Sequence, residues 1–180
     1  QFPGRPLSVA PASADASFRR YFRITFDDGL TRIVMDAPPE HEDCRPFVHV
    51  AGLLHGAGVL APEILAQDLG RGLLLLTDLG SPTYLDALDD ANADSLFRDA
   101  LDALVKWQLA SRPDALPPYD EALLRRELNL FPDWYVGRHL GSPLTAQQQE
   151  ALERIQVLLL QNVLAQPKVF VHRDYMPRNL

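Results

Sequence analysis

The stretch His172-Arg173-Asp174-Tyr175-Met176-Pro177-Arg178-Asn179 decides how the rest of the chain is read. It is polar, it follows a short apolar run over 168–171, and it sets a carboxylate at Asp174 and a carboxamide five residues later at Asn179. A tight loop leaving a strand can project both side chains into one small volume. There the carboxylate accepts or orients a hydroxyl proton, and the amide oxygen holds a hard cation such as magnesium. The plainer reading is a surface turn whose Asp and Asn only cap backbone groups. Residues of these types at this spacing arise by chance in about one chain in a hundred of this length.

What lies upstream lowers that chance further. The spacing predicts a strand over 168–171 and, before it, a helix over 145–165. Thr145 and Gln148 give that helix a capping box, and Leu152, Ile155, Leu158 and Leu159 form its apolar side. A helix over 120–139 carries Pro132, which should end or kink it after Phe131, and another helix covers 93–111. Strand signals dominate before Gly80. A hairpin of strands over 18–25 and 31–35 turns at Asp27-Asp28-Gly29, a helix covers 42–57, and apolar runs at 64–65 and 72–77 read as further strands. The Pro-, Ala- and Ser-rich residues 1–16 read as a loose lead-in. The expected fold is therefore α+β and two-lobed, with a strand-rich lobe over 1–79 and the first part of a helical lobe over 80–180. A ligand cleft belongs naturally at such a junction.

Composition narrows the classes. The 180 residues are 47% hydrophobic and 23% charged, ordinary usage for a folded domain. A net charge of −7 with only 17 Lys and Arg argues against a nucleic-acid partner gripped through its phosphates. The single cysteine, Cys44, forms no internal disulfide and holds no metal by itself, which favours a reducing, cytoplasmic setting. The longest wholly apolar run, Leu73 to Leu76, is far short of the about 20 residues of a membrane span, so no membrane partner is expected. His41, His49 and His55 lack a zinc-like arrangement of ligands.

His-Arg-Asp followed by Asn five residues after the Asp is the order of a kinase catalytic loop. Other pieces agree with it: Ser17-Phe18-Arg19-Arg20-Tyr21-Phe22-Arg23, Val34-Met35-Asp36-Ala37-Pro38-Pro39-Glu40, Leu74-Leu75-Leu76-Thr77-Asp78-Leu79-Gly80, and Asp133-Trp134-Tyr135 with Arg138-His139-Leu140-Gly141. Taken together, the chain resembles the aminoglycoside phosphotransferase superfamily, the small-molecule branch of the kinase-like fold. Within it, the resemblance is to bacterial anomeric kinases of N-acetylmuramate and N-acetylglucosamine. It implies a two-lobed kinase-like fold truncated after the catalytic loop, ATP and Mg2+ as cofactors, and an amino sugar as the small-molecule substrate. Asp174 would be the catalytic base and Asn179 a magnesium ligand, with the second magnesium carboxylate downstream of Leu180.

The amino-terminal lobe departs from the kinase pattern twice. No glycine lies over 14–20, so Ser17 and Phe18 stand where a Gly-rich phosphate loop is expected. Met35 fills the place of the usual phosphate-pairing lysine. Arg19, Arg20, Arg23 or Arg32 must then supply the cation, and Arg20 and Arg32 are preferred because alternation along the hairpin can aim them at the cleft. Glu42 or Asp43 is a candidate partner for such an arginine. Leu76, Asp78 and Leu79, in the segment that joins the lobes, are the adenine-side candidates. On the acceptor side, Trp134 and Tyr135 can stack on a sugar ring, Arg138 can meet a carboxylate or acetamido oxygen, and Asp133 can bind hydroxyls. Two alternatives stand beside this: a related kinase acting on choline, homoserine or an aminoglycoside, and a regulatory module that binds without transferring phosphate.

Overall fold

The computed structural model describes residues 7–14 and 18–180, and its first feature is a five-stranded antiparallel sheet. The strands are β1 (Leu7–Ala14), β2 (Arg20–Phe26), β3 (Thr31–Asp36), β4 (Ile64–Asp68) and β5 (Leu73–Thr77), in the spatial order β1-β2-β3-β5-β4. The β2–β3 hairpin turns where expected. Gly29 takes φ +81°, which glycine adopts without strain, and its N–H donates to the Phe26 carbonyl at 3.0 Å. The lead-in is the first departure. Leu7 to Ala14 pairs with β2 as an edge strand, with a register shift between Pro11 and Ser13. An edge strand tolerates a proline that a central one would not.

Register sorts the sheet into two faces. Tyr21, Met35 and Leu74 stand in one row, and Arg23, Ile33 and Leu76 in the next row on the same face. Helix α1 (Arg45–Gly56) packs there, bringing Phe47 and Val48 against Met35, Leu74 and Leu76. Met35, expected to stand in place of the kinase lysine, is 0% exposed and part of the core. The helix starts later than expected because the chain first turns over the Pro38 carbonyl, which accepts the N–H groups of His41 and Glu42 at 2.9 Å. The Asp43 carboxylate then takes the Arg45 N–H at 2.9 Å.

Helical structure takes over after β5. A short helix not foreseen from the sequence, α2 (Tyr84–Ala87), starts at a capping box in which Thr83 and Asp86 exchange hydrogen bonds. Then come α3 (Ala93–Leu109), α4 (Glu121–Leu130) and α5 (Ala146–Leu164), the last capped by Thr145 and Gln148 as expected. Pro132 does end the α-type winding, since it has no N–H for the ladder. The chain nevertheless keeps coiling as a π-helix, Phe131–His139, and the Leu140 N–H closes on the Tyr135 carbonyl at 2.9 Å. Arg125 bridges Glu121 and Glu153 at 2.9 Å each, tying α4 to α5. The strand expected over 168–171 joins no sheet. The Phe170 N–H donates instead to Ser111 Oγ at 2.7 Å, because no strand edge lies beside it.

A β-sheet lobe followed by helices is the two-lobed, kinase-like α+β fold. By internal packing the chain forms two compact units, one running to Ala110 and taking in Val171–Leu180, the other Ser111–Phe170. Among the described residues no helix is long and apolar enough to cross a membrane.

Candidate active site

The stretch 172–180, expected to be a catalytic loop, is held from several directions. The Tyr175 hydroxyl donates to the Ala100 carbonyl on α3, and burial of the phenol pushes its pKa up. His172 meets the Tyr175 ring edge-on at 5.2 Å. The Tyr84 N–H, in the first turn of α2, donates to the Leu180 carbonyl at 2.8 Å. Arg173 takes φ +74°, a left-handed conformation that costs a side-chain-bearing residue about 1–2 kcal/mol and persists where its surroundings enforce it.

This frame brings the two chemical residues together. In the 3-10 turn Pro177–Asn179, the Asn179 N–H donates to the Met176 carbonyl at 2.9 Å. Its side-chain Nδ2 donates to the Asp174 carbonyl at 2.9 Å and to Asp174 Oδ2 at 2.8 Å. Both amide hydrogens are thereby used, which leaves Oδ1 as the acceptor atom of the Asn179 amide. The Asn179 amide engages Oδ2 of the Asp174 carboxylate.

The linker after β5 is fixed by Arg23. Its Nε donates to Asp78 Oδ2 at 2.6 Å and its Nη2 to Asp78 Oδ1 at 3.0 Å, while the same guanidinium reaches Gly80 O at 3.0 Å and Ser81 Oγ at 2.8 Å. The Gly80 N–H adds a bond to Asp78 Oδ1 at 2.9 Å. The Arg23 hydrogen bonds outweigh burial and hold the Asp78 carboxyl down at about 2. Asp78, expected beside the nucleotide, therefore has its carboxylate turned into the protein, with a side chain only 4% exposed. Leu76 lies in the sheet core and Leu79 is exposed at the linker.

The opposite end of the sheet, where β2 begins, holds Arg19 and Arg20. Arg20 and Arg32 lie on the face away from α1: Arg20 pairs with Asp36, and Arg32 donates to its neighbour's carbonyl, Thr31 O, at 2.8 Å. Arg32 is moreover at the linker end, opposite Thr77. Arg19 approaches Glu42 at 3.5 Å. Burial pushes the Cys44 thiol up and the Arg19 charge opposes it, so Arg19 stands near the Met35 cluster to which Cys44 belongs. Phe18 is exposed and stacks on His41 at 4.6 Å. Ser17 lies outside the described residues.

All four acceptor-side candidates fall on the π-helix of the second unit. The Arg138 guanidinium lies 4.0 Å from the Trp134 ring centre, and Tyr135 stacks between Phe131 at 5.7 Å and His139 at 5.5 Å. Asp133 lines a cavity of about 210 Å³ with Asn129, Gln149, Glu153 and Gln156.

A model of the phosphotransferase enzyme family (APH) matches residues 8–180. The chain belongs to this family. It is 61% identical over 175 residues to the N-acetylmuramate/N-acetylglucosamine kinase of Pseudomonas aeruginosa, covering 97% of this chain and 52% of that protein. It is 57% identical over 173 residues to the protein of the same name from Pseudomonas putida, covering 96% of this chain and 51% of that protein. The corresponding protein of Neisseria meningitidis is 42% identical over 183 residues, at 99% and 54% coverage. The chain thus spans about half the length of the curated relatives it matches.

For a phosphotransferase of this family the donor set suits magnesium. Among the described residues there is no cluster of three or more His, Cys, Asp or Glu able to hold a metal alone. Magnesium does not need one, since it binds through one or two protein oxygens together with phosphate oxygens and water. Asn179 Oδ1 offers such an oxygen. Sequence reasoning named Arg23 among four cations without preferring it. Its partner Asp78 lies 55 residues away, and only strand register brings the two together.

Proposed function

We propose that this chain serves an ATP- and magnesium-dependent phosphotransferase whose acceptor is an amino sugar of the N-acetylmuramate or N-acetylglucosamine type. The observation that carries the reading is the Asn179 to Asp174 contact, which aims a carboxylate oxygen and an amide oxygen from one tight turn. Identities of 61%, 57% and 42% to proteins named for that activity support the acceptor class.

The residues divide the work by position. The adenine stacks at the linker, where Leu79 offers exposed apolar surface and the Arg23 clamp keeps the backbone from shifting. Asn179 Oδ1 would hold magnesium, whose charge would offset that of the transferring group. Asp174 orients the acceptor hydroxyl in line with the γ-phosphorus and accepts its proton. The new bond joins that oxygen to phosphorus as the bond from phosphorus to the β,γ-bridging oxygen breaks, and ADP leaves with the electron pair. Trp134, Tyr135, Arg138 and Asp133 supply rings, a cation and a carboxylate suited to a sugar bearing acetamido and carboxyl groups. The hydroxyl is the anomeric one and the product a sugar 1-phosphate, as cell-wall recycling in the cytoplasm would use. The lone reduced cysteine, Cys44, fits that compartment.

The test is magnesium-dependent transfer from ATP to N-acetylmuramate, N-acetylglucosamine, choline and an aminoglycoside, with the product position read by NMR. A sugar 1-phosphate is the expected product. Transfer to choline or the antibiotic would discard the sugar assignment, and ATP binding with no transfer would favour a regulatory module, the reading that the buried Met35 encourages.

A further inference from the structure

We propose that Arg19, held by Glu42, supplies the positive charge that receives the nucleotide's terminal phosphates, in place of the lysine that kinases carry on the third strand. The inference rests on the reading of the site as an ATP site. Kinases use a strand lysine paired with a glutamate of the following helix to grip phosphates. Here that position is Met35, 0% exposed in the core, so no cation can come from β3 on the α1 face.

Face and end then select among the remaining arginines. Successive residues of an extended strand alternate faces, so Tyr21 and Arg23 share the α1 side with Met35, while Arg20 and Arg32 lie on the other. Arg19, just before β2, reaches the α1 side through Glu42 and its nearness to Cys44. Position along the sheet separates Arg19 from Arg23. From Asp36, opposite Arg20, to Ile33, opposite Arg23, is three residues, or about 10 Å of strand. Arg23 is at the linker end and its guanidinium is committed to Asp78, Gly80 and Ser81. Arg19 is at the β1–β2 end, where kinases place the loop that covers the phosphates. Glu42 lies in the turn that leads into α1 and approaches Arg19 at 3.5 Å, with side-chain exposures of 30% for the arginine and 17% for the glutamate. Glu42 therefore holds the Arg19 guanidinium by one Nη, as the helix glutamate of a kinase holds its lysine, and the side chain keeps 30% of its surface in solvent. An arginine so placed offers the planar donor fork that suits phosphate oxygens.

Calorimetric titration of the intact protein with adenosine, ADP and ATP, each with magnesium, tests this without reference to turnover. Arg19→Gln should weaken ATP by about tenfold or more, weaken ADP less and leave adenosine unchanged, and Arg19→Lys should recover part of the loss. Arg20→Gln, on the opposite face, should leave ATP affinity within about twofold. Equal losses for adenosine and ATP in both Arg19 variants would mean that Arg19 only holds the lobe together, and unchanged ATP affinity would mean that another group meets the phosphates. Either result overturns the proposal while leaving the ATP reading intact. A wild-type protein that binds none of the three nucleotides overturns that reading and the proposal with it.

Discussion

Arg23 and Asp78 carry a testable consequence of a single pair. The Asp78 carboxyl sits at about 2 in the folded protein against an ordinary value of 3.8, chiefly because Arg23 donates to it. A depressed carboxyl stabilises the fold fully above its unfolded value, and that contribution is lost as pH falls through the folded value. The pair should therefore be worth about 2 kcal/mol at neutral pH and fade as pH drops from about 4 to about 2. Urea unfolding of wild type and Arg23→Met checks it: the gap between them is expected at neutral pH and should shrink in acid. A gap that persists unchanged at about pH 2 would mean that Arg23 stabilises by packing alone. At this scale the sequence was legible where chemistry is local. Asp174 and Asn179, five residues apart in one loop, lie in hydrogen-bond contact. The choice among Arg19, Arg20 and Arg23 was not, because one residue of strand phase reverses the face that every side chain takes.

Elements were readable to the extent that their signals are local. The capping box of Thr145 and Gln148 marks the start of α5 because both partners lie within one turn. The lead-in β1 has the composition of a loop and becomes a strand only through its pairing with β2. The π-helix was missed for a related reason: apolar spacing alone does not distinguish α from π winding over so short a segment, and Pro132 signals only that the α ladder stops. The junction of β3 with β5 depends on one glycine. Gly72 takes φ +69°, its carbonyl accepts the Ala37 N–H at 2.9 Å, and a Cβ there would lie 1.8 Å from the Ala37 carbonyl oxygen. Gly72→Ala should lower stability by about 3 kcal/mol or more and the melting temperature by about 10 °C, since a backbone carbonyl cannot yield as a side chain can. A melting temperature within a degree or so of wild type would show that the junction repacks.

Across the whole chain, the two-lobed order of sheet, linker, helices and catalytic loop followed from the change in composition near Gly80. The α1 side of the sheet, the Arg23 clamp and the docking of Leu180 on α2 required the fold. One chain of contacts runs from β2 through the linker to α2 and on to the Asp174–Asn179 turn, joining the proposed nucleotide end to the residues proposed to handle the acceptor hydroxyl. This loop is proposed to transfer phosphate, with Asp174 handling the acceptor proton. Turnover and ATP affinity of Asp174→Asn in the intact protein test it most directly. Turnover should fall by about a hundredfold or more with ATP affinity within about threefold of wild type, since positioned general bases contribute on that scale. Turnover equal to wild type in a folded variant would contradict the assignment.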